Sequence, residues 1–298
     1  GLSAMKLVGG HRIDINDTNI NFTGSGPADY KKWLFHTDGH NFYGDSTWVV
    51  GTNSKVNITG NNLIMYTSQY HGGAPTNGHV GFVNKGEIST SAASSENILW
   101  YSMSDGNSGP NRAMYFDNRG KIKLEGIKNT FAIINSENSS GRGWFSVQNN
   151  NKIDLAGDKI TGITFGKDYD ISEILLNRPI TITGTNSTGV YFNKDVNLEG
   201  GKAVATSTSN NVVTTLPGTT RESILNVDIT AGTKNSGLFF DAYDENNTAA
   251  NIKVLDVPNA TINLSSNDGS NAGIYAKAGT VNLKPNAKVN LTAGKDNV

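Results

Sequence analysis

The feature that most constrains this chain is a short motif that returns at irregular intervals. A small residue is followed by aliphatic and aromatic residues, each time after a polar loop. It reads Gly143-Trp144-Phe145, Gly162-Ile163-Thr164-Phe165, Gly189-Val190-Tyr191-Phe192, Gly237-Leu238-Phe239-Phe240 and Gly273-Ile274-Tyr275-Ala276, with weaker copies at Gly81-Phe82-Val83 and Ala113-Met114-Tyr115-Phe116. Successive copies begin 32, 30, 19, 27, 48 and 36 residues apart. Repetition on this scale marks an array of stacked units, because one unit of short strands cannot bury an apolar face alone. The uneven step assigns the variation to loops between constant strands.

Each copy leads through a turn into a second alternating run, as in Lys121-Ile122-Lys123-Leu124, Lys152-Ile153-Asp154-Leu155, Val196-Asn197-Leu198 and Val281-Asn282-Leu283. Alternation with period two places Ile, Val, Leu and Phe inward and Thr, Asn, Lys and Asp outward. The 298 residues include 39 Asn and 34 Gly, the two types that best tolerate left-handed backbone angles in tight turns. The expected fold is all-β, a right-handed parallel β-helix (β-solenoid) with an N-terminal cap region. Tyr191, Phe239 and Tyr275 are expected to stack on their counterparts in neighbouring coils, and turn asparagines to form amide ladders along the axis. With about three strands per coil and strands about 4.8 Å apart, the chain makes on the order of ten coils in a rod roughly 50 Å long. The alternative is a β-sandwich, which needs longer antiparallel strands joined by hairpin turns; Asn77-Gly78 stands nearly alone as such a turn.

Residues 1–60 read as the cap and first coil, and residues 61–298 as parallel β-helix truncated at its C-terminal end. A cap is expected because exposed strand edges pair with other chains. Ser25-Gly26-Pro27 supplies an N-cap and an early proline for a short helix through Leu34, and Gly218 to Ser223 is expected to begin one helical turn on an outward loop. Tyr30, Trp33, His36, His40, Tyr43 and Trp48 crowd together with Phe35 and Phe42, while aromatics are 8% of the chain. These rings form either an exposed platform for a sugar or protein, or the core of the cap. The first reading makes Tyr30, Trp33, His36, His40, Tyr43 and Trp48 the candidate ligand-binding residues.

Lys and Arg total 25 against 26 Asp and Glu, with no block of five like charges, so the basic stripe of a nucleic-acid binder is absent. The absence of Cys removes disulfides, thiolate zinc sites and thiol nucleophiles together. His36 and His40 lack the glutamate of a zincin motif, and the glycine-rich calcium nonapeptide does not occur, so neither metal nor cofactor is expected. Some solenoids are pectin-active enzymes that cluster carboxylates on adjacent coils; Asp154 and Asp168 follow strands without a paired motif, and no serine elbow is present. No catalytic residue is expected. No apolar run approaches the roughly 20 residues of a transmembrane helix.

The stretch Asn271-Ala272-Gly273-Ile274-Tyr275-Ala276, followed by Gly279-Thr280-Val281-Asn282-Leu283, resembles the passenger repeats of large type Va autotransporters, most closely the fusobacterial-type outer-membrane adhesins of the RadD-like family. The resemblance extends over roughly residues 140 to 298 and is faint before residue 80. It implies a signal peptide upstream, a long β-helical passenger, and a missing C-terminal barrel as the only membrane contact. The expected function is that of a non-catalytic adhesin segment, exported across the outer membrane to the bacterial cell surface. Its exposed loops would attach, as a monomer, to glycan or protein receptors on host cells or other bacteria. No family binding residue maps onto a position here. The alternatives are a carbohydrate-active β-helix enzyme, a phage tailspike-type glycan-binding segment, and a structural spacer.

Overall fold

Runs such as Lys121-Ile122-Lys123-Leu124 bury every second side chain: Ile122 and Leu124 are 1% and 0% exposed, while both lysines face solvent. Such a strand has one apolar face and two unsatisfied edges, and both are resolved by stacking. In the computed structural model this produces an all-β parallel solenoid. The structure describes residues 2–8, 11–28, 32–38, 46–70, 78–104, 112–136, 144–165, 171–192, 207–209, 212–214, 223–241, 254–277 and 280–298.

The first three coils are β1 (Leu2–Val8), β2 (Arg12–Ile15) and β3 (Asn19–Phe22); β4 (Lys32–Asp38), β5 (Ser46–Val50) and β6 (Lys55–Ile58); and β7 (Ile64–Tyr70), β8 (Gly78–Asn84) and β9 (Glu87–Thr90). The next three are β10 (Ile98–Ser104), β11 (Arg112–Asn118) and β12 (Lys121–Leu124); β13 (Thr130–Ser136), β14 (Trp144–Asn149) and β15 (Lys152–Leu155); and β16 (Thr161–Phe165), β17 (Ile171–Leu176) and β18 (Ile180–Ile182). Then come β19 (Thr188–Phe192), the hairpin β20 (Ser207–Ser209) and β21 (Val212–Thr214), β22 (Ile224–Ile229), β23 (Ser236–Asp241), β24 (Val254–Leu264), β25 (Ala272–Lys277) and β26 (Thr280–Leu291).

The first strand of every coil joins a nine-stranded sheet, β1-β4-β7-β10-β13-β16-β19-β23-β25. Apart from β20 and β21, the remaining strands form a 15-stranded sheet that carries two ladders, joined where β22 pairs with both β17 and β18. Beyond that point each coil uses one long strand, and β24 and β26 pair along their length with a single register shift. All pairing between coils is parallel among the described residues, which excludes the β-sandwich; β20 and β21 form the antiparallel hairpin. Nine stacked strands agree with the expected number of coils.

One corner sets the pitch. Asn62, Glu96, Lys128, Lys159, Asn186, Lys234, Ser270 and Asp296 share φ values of 53, 56, 54, 55, 53, 57, 58 and 58°. The residue after each is turned inward, and here the amides lie in file. Leu63 N donates to Asn97 Oδ1 at 2.9 Å, Asn97 N to Asn129 Oδ1 at 2.8 Å, Asn235 N to Asn271 Oδ1 at 2.9 Å and Asn271 N to Asn297 Oδ1 at 3.0 Å. A second file stands between the two ladders, where Asn84 Nδ2 donates to Asn118 Oδ1 at 2.9 Å and Asn118 Nδ2 to Asn149 Oδ1 at 2.8 Å. The expected amide ladders are thus present, and they satisfy corner backbone that no strand partner reaches.

The core runs along the axis as columns of register-matched side chains. Trp48, Phe82, Phe116, Val147 and Ile174 form one column, with Phe82 and Phe116 stacked at 5.0 Å and 14°. A column of small polar residues, Thr37, Ser68 and Ser102, lies inside the early coils. It serves the large aromatic side chains there: Trp48 Nε1 donates to Thr37 Oγ1 at 2.9 Å, Trp100 Nε1 to Ser68 Oγ at 3.1 Å and Tyr66 OH to Thr37 Oγ1 at 3.3 Å. A buried indole N–H needs an acceptor, and these hydroxyls supply it.

At the N-terminal side one expectation fails and the cap finds no confirmation. Trp33 and Leu34 lie in β4, in register with β1 and β7, where a helix was expected. Pairing on both sides supplies the backbone hydrogen bonds, and it outweighs the local helix-start signal. Strands β1–β6 belong to the same two sheets as the later coils, and no separate cap is formed by the described residues. Residues 218–222, expected to begin a helical turn, lie outside the described residues; Ser223 is 1% exposed and its Oγ accepts from Ile174 N at 3.1 Å.

Candidate functional site

Of the six candidate ligand-binding residues, Tyr30, His40 and Tyr43 lie outside the described residues. Trp48 is 0% exposed, packs at 5.0 Å from Phe35, and is anchored through Thr37; it belongs to the solenoid core and offers no face to a ligand. β5 directs it inward because its neighbours on both sides of the column, Ile13 and Phe82, occupy the same apolar seam. Trp33 and His36 come together on β4, with ring centroids 4.7 Å apart, Trp33 partly exposed and His36 buried. Among the described residues no three His, Asp or Glu side chains gather to hold a metal ion.

Tyr191, Phe239 and Tyr275 stack along the outer face of the nine-stranded sheet, at 5.1 Å and 4.8 Å between successive rings. Phe239 is flanked by a ring on either side, so the column ties three successive coils together, while Tyr275 on the last strand of the sheet is 46% exposed. Tyr191 OH donates to Asp241 Oδ2 at 2.8 Å and fixes the column laterally.

The more suggestive surface lies where the two ladders of the larger sheet meet. Three adjoining shallow concavities of about 290, 460 and 460 Å³ overlap in pairs, the first and second through Glu87 and Lys121, the first and third through Lys152, and the second and third through Asn151, so they form one trough. Short strands β9, β12 and β15 project alternate residues into it, and the turns before them add Lys85, Arg119 and Asn151. Six cations line it, Lys85, Arg119, Lys121, Lys123, Lys152 and Arg178, against two carboxylates, Glu87 and Asp154.

Some of this charge is locally balanced. Arg119 pairs with Asp117 at 2.7 Å, Lys123 with Glu125 at 2.8 Å, and Glu87 lies 3.3 Å from Lys55 and 4.0 Å from Lys121. The hydrogen bond to Glu125 holds the Lys123 ammonium above its ordinary pKa. Asp154 accepts from Thr183 Oγ1 at 2.8 Å. Lys85, Lys152 and Arg178 have no carboxylate within ion-pair reach among the described residues. In-register stacking is Lys55, Glu87, Lys121, Lys152, so opposite charges alternate and then two lysines fall on adjacent coils. Like charges directly opposite on neighbouring strands oppose pairing by roughly a few tenths of a kcal/mol.

The two carboxylates of the trough stand two coils apart, on β9 and β15, with Lys121 and Lys123 of β12 between them. No protein-family model, curated protein or solved structure matches the chain.

Proposed function

We propose that this chain is a non-catalytic segment of a bacterial surface adhesin passenger, displayed outside the outer membrane, where it attaches the cell to glycan or protein receptors on host cells or other bacteria. The observation that carries this reading is the trough: a polar, cationic surface extending over several coils of a rigid parallel solenoid and open to solvent. A rod of stacked coils holds such a surface at a fixed geometry without needing a closed pocket. The resemblance of residues 271–283 to autotransporter passenger repeats supports the same reading. Glycoside hydrolysis needs two carboxyl groups facing each other across one sugar. Glu87 and Asp154, separated by a coil of lysines, do not favour that alternative.

The test is binding of the purified chain to intact host and bacterial cells, competed with a panel of free sugars. Saturable binding blocked by one sugar class supports the adhesin. Failure to bind by a folded, cooperatively melting protein would leave a spacer whose parent binds elsewhere.

A further inference from the structure

We propose that the trough lined by Lys85, Arg119, Lys121, Lys152 and Arg178 binds an acidic polysaccharide, a sulfated or uronate-bearing glycan laid along the solenoid axis. This rests on the adhesin reading and names the ligand class of the same surface. Four successive coils each contribute at least one of these cations, so with about 4.8 Å between coils an extended polyanion meets positive charge at every step. No concavity there encloses a small anion, which favours a polymer that sums many weak, screened contacts.

Three observations separate this surface from ordinary solvated charge. The chain as a whole has a net charge of -1, yet the trough carries six cations and two carboxylates. Lys121 above Lys152 works against strand pairing, so an anion bridging the two ammonium groups would relieve a cost that the fold alone leaves in place. Lys152 and Arg178 are trough cations with no ion pair among the described residues, and Lys85 at the other end has only a longer-range attraction to Asp14. The rim adds Asn57, Ser89 and Thr181, groups suited to sugar hydroxyls. Among the described residues no aromatic side chain lines the trough, and single-stranded nucleic acid binding relies on rings that stack with bases. That difference favours a glycan.

The experiment uses the whole chain with immobilised heparin and hyaluronate as sulfated and carboxylated probes. A variant carrying Lys121→Gln, Lys152→Gln and Arg178→Gln is compared with a control carrying Lys234→Gln, Lys288→Gln and Lys295→Gln, which makes the same change in net charge elsewhere. The trough variant should bind heparin or hyaluronate about tenfold more weakly, the sum of three screened contacts, with a shallower salt dependence. It should melt at or above the parent, while the control keeps parental affinity. Equal losses in both variants, no binding of either probe by the parent, or equally tight binding of a single-stranded oligonucleotide of matched charge would each overturn the proposal. Cell binding measured in parallel separates the two ideas. Glycan capture without cell attachment leaves the trough standing and removes the adhesin. Cell attachment unaffected by the trough substitutions, without glycan capture, removes the trough alone.

Discussion

Asn118 is the middle member of a buried file of three amides, and every polar atom it carries is in use. Its Oδ1 accepts from Asn84 Nδ2 and from Gly120 N, and its Nδ2 donates to Asn149 Oδ1 and to Lys152 O. Asn118→Ala removes all four bonds and leaves donors without acceptors in a water-excluded corner. The expected loss is about 2–4 kcal/mol in urea denaturation, above the roughly 1 kcal/mol of a single hydrogen bond. A loss below 1 kcal/mol would mean that water enters the corner. Tyr66 offers a test in pH. Its phenol is fully buried, and desolvation holds its pKa well above the ordinary 10.0, with the Thr37 hydrogen bond opposing only in part. The neutral phenol is favoured in the folded state, so its contribution is complete below the unfolded pKa and is lost as pH rises from there towards the folded value. Tyr66→Phe should destabilise by about 0.5–1.5 kcal/mol near neutrality, and the gap to the parent should narrow above about pH 10. A gap that stays constant to pH 11 would show that the phenol ionises equally in both states.

Individual strands were legible in the chain because period-two alternation is a local property, and β12 and β15 match the expected runs residue for residue. Their grouping into sheets was not. The motif copies at Gly81 and Ala113 lie in β8 and β11 of the larger sheet, whereas those at Gly162, Gly189, Gly237 and Gly273 lie in β16, β19, β23 and β25 of the nine-stranded sheet. The 19-residue step before Gly162 is therefore a jump between sheets and not a short coil. Both faces bury the same residue types, and no local pattern distinguishes them. The left-handed corner residues mark the coil better, but Glu96, Lys128 and Lys159 are not types that announce such a backbone. The trough was hidden for a related reason. Lys121 and Lys152 become neighbours only once the coil length is known, although placing Lys121-Ile122-Lys123-Leu124 over Lys152-Ile153-Asp154-Leu155 would have shown lysine above lysine. The aromatic cluster around Trp48 was visible at once, but hydropathy alone could not separate a ring that fills the interior from one that faces a ligand.

At the scale of the whole molecule, coils that contact only their neighbours should be removable one at a time. Excision of residues 97–128 takes out β10, β11 and β12 and joins Glu96 to Asn129, which follows a left-handed corner in the parent just as Asn97 does. The ladders close again by register. Asn84 comes to face Asn149, Ile88 to face Ile153, and Glu87 to face Lys152 as an opposite-charge pair. Asn129 can take over the bond that Leu63 N makes to Asn97. The core closes less well, because Phe82 meets Val147 instead of Phe116 and Tyr66 meets Ala132 instead of Trp100. The shortened protein should keep its parallel-strand signal, melt cooperatively at a lower temperature and lose roughly 4.8 Å of length in solution scattering. It should also hold heparin less strongly, since Arg119, Lys121 and Lys123 leave with the excised coil. Excision of residues 97–120 instead strands β12 without the rest of its coil, so closing β13 on β7 must loop residues 121–128 out, and that protein should melt lower than the in-register one. If the in-register excision unfolds altogether, the coils are not independent modules. The polar island around Thr37, Ser68 and Trp100 would then be a feature that the rest of the stack depends on.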